Sequence, residues 1–324
     1  MRGIAAPYLL ALFATVSATG TVVCAQSYPA KTIRVVVPAA PGDSCDTLTR
    51  LIGPKVSERL GQQLVVDNRP GAGGQLGLQL TAQSPADGYT IACGQGGNMV
   101  LAPIVNRKVP YETLKDFIPV AALVSNFPAL VVHPSVPFRN VRDLVVYAKA
   151  NPGRLTFGTN GEGAFIHFST ELLRLRAGFT YLHVPYKSVQ TIVTEIMGGR
   201  IDAVFTSFIN VQPHVLAGRL RLLGIGRATR APNYPEFPAI SETLPGFEAS
   251  GWFGIVAPTG TPREVVLLLN REINRALSAP DVREKLASFA LEVHTEPPEY
   301  FGQLLQRDIE KWGKLARDID FKPR

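Results

Sequence analysis

The chain has 324 residues, 46% of them hydrophobic and 18% charged, with a formal net charge of +7. That composition supports a large core and about two domains, and the basic balance favours an anionic ligand or an anionic surface. With no Lys/Arg run and no zinc-finger spacing, it argues against a nucleic-acid-binding protein.

The first element stands apart from the folded chain. "MRGIAAPYLLALFATVSATGTVVCAQ" begins with one basic residue, Arg2, runs apolar over residues 8–16 and ends in "VCA" before Gln26. This is the pattern of a secretory signal peptide over residues 1–25, removed on export. The apolar run is too short, and too interrupted by Ser, Thr and Gly, for a membrane anchor. Val23 is too bulky for the small residue that precedes a lipoprotein cysteine. No later segment reads as membrane-spanning. The mature chain starts near Gln26 with a charge of +6 (7 − 1 for Arg2). It keeps Cys45 and Cys93, and two readings stand for them: a disulfide in an oxidising compartment, or two separate half-buried thiols.

From residue 32 the pattern alternates. "TIRVVV" is a β-branched strand, and "PAAPGDSCD" over 38–46 is a small-residue loop. The apolar positions Leu48, Leu51, Ile52, Val56 and Leu60 predict a helix over 46–60 with Gly61 as its stop. A second strand ("QLVVDN"), a Gly-rich turn, a helix to about residue 83, a "PADG" turn and a third strand ("YTIAC") follow. "IPVAALVSNFPALVVHPSVPF" is strand-rich and could cross to a second lobe. There the grammar repeats: a strand over 155–158, a Gly loop over 159–163, a helix over 164–176, the strand "YLHVPY", a helix over 189–197 and the strand "IDAVFTS". "ASGWFGIVAPTGTP" could cross back. A helix with Thr261 as N-cap and Pro262 at its first position follows, and another is predicted over 298–316. Alternating strands and helices imply βαβ units and parallel sheets.

In such sheets ligands bind beyond the carboxyl ends of the strands, where helix N-termini present free N–H groups and a positive dipole end. "PAAPGDSCD" and "GTNGEGA" are two such places, and facing each other they would hold a small anion from both sides. Alternatively each is a structural turn, with Asp46 capping the first helix. "NRPGAGGQLG" resembles a nucleotide fingerprint only weakly, since Leu76 stands where the third glycine belongs. There is no Walker sequence, no G-x-S-x-G and no H-E-x-x-H. His133, His167, His183, His214 and His294 lack metal-ligand spacing. His167 either orients the second loop or touches a ligand, and Asp202 anchors the turn before its strand. No catalytic residue, metal or cofactor is expected.

Taken together, "YPAKTIRVVVPAAPGDSCDTLTR", "LGQQLVVDNRPGAGGQLG", "PADGYTI", "ANPGRLTFGTNGEGAFIHFSTELL", "HVPYKSVQTIVTEIMGGRIDAVF" and "GWFGIVAPTGTP" resemble, in order and spacing, the Bug family of extracytoplasmic solute receptors of tripartite tricarboxylate transporters. The resemblance covers nearly the whole mature chain. It implies an α/β, two-lobed periplasmic-binding-protein fold of type II-like character, with a hinge and a ligand cleft between the lobes. One lobe would comprise residues 26–126 and 251–324, the other 127–250, with hinges near 126–129 and 250–252. It further implies a monomer that is not an enzyme, closes on a small organic carboxylate and delivers it to membrane transporter subunits. Ligand contacts would come from Ala39, Ala40, Pro41, Gly42, Asp43 and Asp46, from Gly94, Gln95 and Asn98, and from Thr159, Asn160, Gly161, Gly163 and His167, with Tyr186 and Ser207.

Four positions depart from the family pattern. Asp43 replaces a second glycine, Ala39 an aromatic residue, Ser188 a glycine, and Glu162 adds a carboxylate. Acidic groups near an anion site raise its energy, so Asp43 and Glu162 either face solvent or meet an ammonium group. Ala39 could make room for an aromatic acid. Two other classes stay in view: a periplasmic α/β enzyme using the Gly loops for a phosphate or nucleotide, and a sensing subunit for a signalling partner.

Overall fold

The computed structural model describes residues 28–323. The expected signal peptide, with Cys24 and Gln26, lies outside the described residues. Strand β1 (Ile33–Val37) is β-branched nearly throughout and buried on both faces, which suits a strand between parallel neighbours. Helix α1 (Ser44–Leu60) follows and ends at Gly61 in the left-handed conformation. Then come β2 (Leu64–Asn68), a 3-10 turn at Ala72–Gly74, α2 (Gln75–Ala82) and β3 (Thr90–Gln95). A π-turn at Gly97–Leu101 leads into α3 (Ala102–Val105), α4 (Thr113–Asp116) and the long β4 (Phe117–Asn126).

After one residue, Phe127, the chain enters β5 (Pro128–Val132) in a second sheet. That part continues through α5 (Val141–Ala150), β6 (Thr156–Thr159), α6 (Phe165–Ala177), β7 (Leu182–Pro185), α7 (Val189–Met197), β8 (Ala203–Ser207), α8 (Phe208–Leu216) and β9 (Arg221–Ile225). Strand β10 (Gly251–Pro258) returns to the first sheet. Helices α9 (Arg263–Leu277) and α10 (Pro280–Ser288), strand β11 (Glu292–Val293) and helix α11 (Pro298–Asp318) close the described chain.

The first sheet is six-stranded in the order β11-β4-β10-β3-β1-β2, and the second five-stranded in the order β7-β6-β8-β5-β9. β1 runs parallel to β2 and β3, and β6 parallel to β7 and β8. The crossing strands are antiparallel to their neighbours: β10 to β3 and β4, and β5 to β8 and β9. At the end of the β4–β10 ladder Asn126 pairs with Gly251, so the outgoing and returning chains pass side by side.

Two expected caps are displaced. The first helix begins at Ser44 with Asp43, not Asp46, as its N-cap. The helix after "TGTP" begins at Arg263 with Pro262 before it, and Thr261 instead donates its hydroxyl to the Pro258 carbonyl at 2.7 Å. Asp43 takes the first cap by accepting the Cys45 N–H, and Asp46, inside the first turn, accepts the Gly42 N–H instead. Asp202 accepts from the Thr156 N–H and hydroxyl at 2.9 and 2.8 Å, which ties the start of β8 to β6. Ser188 caps α7 by accepting the Thr191 N–H at 3.2 Å.

Three features hold distant segments together. Helix α11 packs on helix α6 of the second sheet: Trp312 meets Phe165 and Phe168 edge-to-face, and Phe321 beyond the helix covers Phe168. Arg227, after β9, pairs with Glu292 of β11. Cys45 and Cys93 are joined in a disulfide, which pins the first turn of α1 to β3 and decides between the two readings of these cysteines.

The bridge spans a sequence separation of 48, for which loop-closure entropy gives about 4 kcal/mol of stabilisation. Replacing both cysteines by alanine is expected to lower the unfolding free energy by about 2–4 kcal/mol in denaturant titrations. A loss within error of zero would show that the bridge does not constrain the unfolded chain.

Candidate functional site

The loop after β1 is built around a buried carboxylate. Asp46, 3% exposed, accepts the Gly42 N–H at 2.9 Å, Arg50 Nε at 2.9 Å and Asn68 Nδ2 at 3.0 Å. The Arg50 hydrogen bond, with smaller contributions from Gly42 and Asn68, outweighs burial and holds the Asp46 pKa down to about 2. Asn68 Nδ2 also donates to the Ala39 carbonyl at 3.1 Å. Asp43 accepts the Cys45 N–H at 3.1 Å, a helix-capping bond. Both acids of this loop are therefore engaged in shaping it.

The loop after β6 rests on two imidazoles. Thr159, fully buried, has its hydroxyl 2.5 Å from His183 Nε2 and accepts the Gly161 N–H at 3.3 Å. The Gly163 N–H donates to His167 Nδ1 at 3.1 Å, and His167 stacks on His183 with ring centroids 4.5 Å apart. Burial, and secondarily the neighbouring His183, pushes the His167 pKa down to about 4. At neutral pH the ring is uncharged, which leaves Nδ1 able to accept. His167 thus orients the second loop from beneath.

A third loop joins them. Gly74, with φ of +95°, sits so close to the first loop that a Cβ there would lie 2.9 Å from the Pro38 carbonyl and 2.8 Å from Asn98 Nδ2. Gly74 and Gly77 of "NRPGAGGQLG" serve this close packing against Pro38.

Between the lobes lies a cleft of about 720 Å³. From the first sheet's side it is lined by Ala72, Gly73 and Gln75 at the start of α2, and by Gln95, Gly96, Gly97 and Asn98 after β3, with Leu101, Ala102, Val105 and Asn106. From the second come Asn160, Glu162, Gly163, Ala164 and Phe165, at the start of α6; Asn126, Gly251, Trp252 and Phe253 line it at the crossings. Two helix N-termini thus reach the cleft. Glu162 is the one ionisable side chain among its described lining residues, and no Lys, Arg or His is among them. Its aromatic walls are both braced by α11: Trp252 Nε1 donates to Asp308 at 2.8 Å, and Phe165 packs on Trp312. The cleft can hold a small anion by dipoles and amides, beside an apolar surface.

Of the residues expected from sequence, Gln95, Asn98, Asn160 and Gly163 are brought together in the lining. Ala39, Ala40, Pro41, Gly42, Asp43 and Asp46 form the adjoining loop but are not among the lining residues. Gly94 turns toward Met99, whose Sδ would be 2.2 Å from a Cβ there. Thr159, Gly161 and His167 lie in or beneath the second loop. Tyr186 points its hydroxyl at Glu195, 3.5 Å away, and Ser207 is reached through Asn126, whose Nδ2 donates to its hydroxyl at 3.2 Å. The lining residues at 72–75 follow β2, a parallel strand end like the two loops singled out, and the same rule applied there finds them. Asn126, Gly251 and Trp252 fall within the segments read as hinges.

Residues 48–321 match the profile of the tripartite tricarboxylate transporter family receptors. The chain belongs to this receptor family. Protein BugT of Bordetella pertussis is 33% identical over 97% of both chains. Among solved structures, Rpa4515 of R. palustris with adipate is 32% identical, with a TM-score of 0.79 over 92% of this chain and all of that one. MatC of Rhodopseudomonas palustris with bound malate is 30% identical, with a TM-score of 0.74 over 89% of this chain and all of that one. The receptor has the mixed α/β periplasmic-binding-protein fold of these neighbours, and among the described residues no helix is long and apolar enough to cross a membrane.

The pKa shifts set two acid windows. His167 is neutral in the fold down to about 4 but takes a proton near its ordinary value of 6.5 when unfolded, so the stability it contributes is present above 6.5 and is lost as the pH falls toward 4. Asp46 contributes above its ordinary value of 3.8, and this is lost as the pH falls toward 2. The melting temperature is expected to decline between pH 6.5 and 4, and His167→Gln, whose amide oxygen can take the Gly163 N–H, should flatten that slope. An unchanged slope in the variant would remove His167 as its source.

Proposed function

We propose that this receptor captures a small organic carboxylate in the interlobe cleft without transforming it and hands it to a membrane transporter. The observation that carries the reading is the cleft itself: two helix N-termini and several amide side chains, with no basic side chain lining it. Such a site attracts one anionic group through N–H dipoles and releases it readily, because no buried ion pair has to be broken. The carboxylates held by the related Rpa4515 and MatC support this class of ligand.

In this reading residues 26–126 and 251–324 form one lobe and 127–250 the other, with closure about 126–129 and 250–252. The loops at Ala39–Asp43 and Thr159–Gly163 complete the grip when the lobes close. Residues 1–25 direct export to the periplasm, where the receptor works as a monomer.

The test is thermal stabilisation at constant ionic strength, on protein first unfolded and refolded to strip carried ligand. Mono-, di- and tricarboxylates, aromatic acids, acidic amino acids and nucleotides form the panel. A carboxylate present at a hundredfold excess over its dissociation constant is expected to stabilise by about 2.7 kcal/mol and to be recovered unchanged. Stabilisation by nucleotides alone, or chemical conversion of the bound acid, would overturn the reading.

A further inference from the structure

Two buried polar atoms at the cleft lack a partner among the described residues: Asn98 Nδ2, a donor, and Asn126 Oδ1, an acceptor. Both side chains are otherwise fixed. Asn98, 2% exposed, accepts the Gln95 N–H through Oδ1 at 3.0 Å, so its amino group is the end left over. Asn126 donates through Nδ2 to Ser207 Oγ at 3.2 Å, so its oxygen is the end left over. Gly251, opposite Asn126 in the ladder, keeps that oxygen in place: a Cβ there would come within 2.3 Å of it. Leaving such atoms unmatched is costly, and both belong to residues lining the same cleft.

We propose that the ligand of this receptor is a carboxylate that also carries a hydrogen-bond donor, a hydroxyl or an ammonium group, and that Asn126 is the residue that reads this donor. The inference rests on the carboxylate-receptor reading above. An anion's oxygen satisfies the Asn98 amino group. It cannot satisfy the Asn126 oxygen, which repels a bare carboxylate or carbonyl and accepts only from O–H or N–H. Trp252 and Phe253, beside Gly251, offer the carbon skeleton an apolar wall, and the Trp252 N–H is already committed to Asp308. The donor-reading role thus belongs to Asn126, not to Asp43, which caps α1.

The proposal is tested by calorimetric titration of the refolded protein with matched acids that differ only in the donor: succinate, L-malate and L-aspartate; adipate and 2-aminoadipate; benzoate, 2-hydroxybenzoate and 4-hydroxybenzoate. On whichever skeleton binds, the donor-bearing member is expected to bind at least about tenfold more tightly, since its analogue leaves a buried acceptor unpaired. Asn126→Leu should erase that gap, leaving the donor-bearing and donor-free members of each set equal in affinity. Asn126→Asp, which retains an acceptor, should preserve the gap for the ammonium ligand. Equal affinities within every matched set, or a gap that survives Asn126→Leu, would overturn this inference and leave the receptor reading intact. So would loss of the gap in both variants, which would mean that the amide presents its N–H₂ to the ligand. Failure of every carboxylate to bind would overturn both.

Discussion

Strands β4 and β10 pair antiparallel from Phe117 opposite Pro258 to Asn126 opposite Gly251, and both chain crossings between the sheets leave from the Asn126–Gly251 end. This ladder fixes where everything else can be. Strands β2 and β3 end at the same cleft as β6, and the N-termini of α2 and α6 converge there. A rotation between the lobes would act on a few torsions beside Phe127 and Ser250, next to residues that line the cleft. In the proposed reading the hinge therefore adjoins the cleft lining, and a ligand bridging both sides would shift the closure equilibrium by its differential contacts alone.

The ionisable groups near the loops are spent internally. Asp46 is tied to Arg50, Glu171 to Arg174 and Glu195 to Arg200. The cleft itself is lined mainly by amide, backbone and aromatic surface, with no Lys, Arg or His among its described lining residues. Removing a charged pair from water is expensive, whereas helix ends and amides present partial charges that are already held in place. The two stacked imidazoles under the second loop follow the same logic: burial lowers the pKa of both, and His167 Nδ1 accepts the Gly163 N–H.

Helix α11 gives the cleft its stiffness. It belongs in chain order with the first sheet, yet Trp312 packs on Phe165 and Phe168 of the second part, while Asp308 anchors Trp252 at the crossing. Asp308 is itself held by Lys311 at 2.9 Å. One amphipathic helix thus positions an aromatic wall on each side of the ligand space, and Trp312, 1% exposed, buries a large apolar area in doing so.

The strand–helix alternation, the Gly stops and the helix over 189–197 were legible from residue order, because they depend on periodicity and on local backbone preferences. So were the turns at 38–46 and 159–163, since small residues between a strand and a helix mark a loop through local backbone preference. Which residues line the cleft was not legible in the same way. Gln75, Asn126, Phe165 and Trp252 come from four separate segments, and only the order of strands in the sheets brings them to one place. The cap at Asp43 and the internal bonds of Asp46 turn on which neighbour lies within about 3 Å: Arg50 reaches Asp46 one turn along α1, but Asn68 does so only once β2 lies beside β1. The Cys45–Cys93 bridge likewise needed the approach of α1 to β3. Sequence by itself determined the elements and the kind of loop chemistry, because those are set by neighbours along the chain; tertiary structure decided the membership of the site, because hydrogen bonds and contacts are set by neighbours in space.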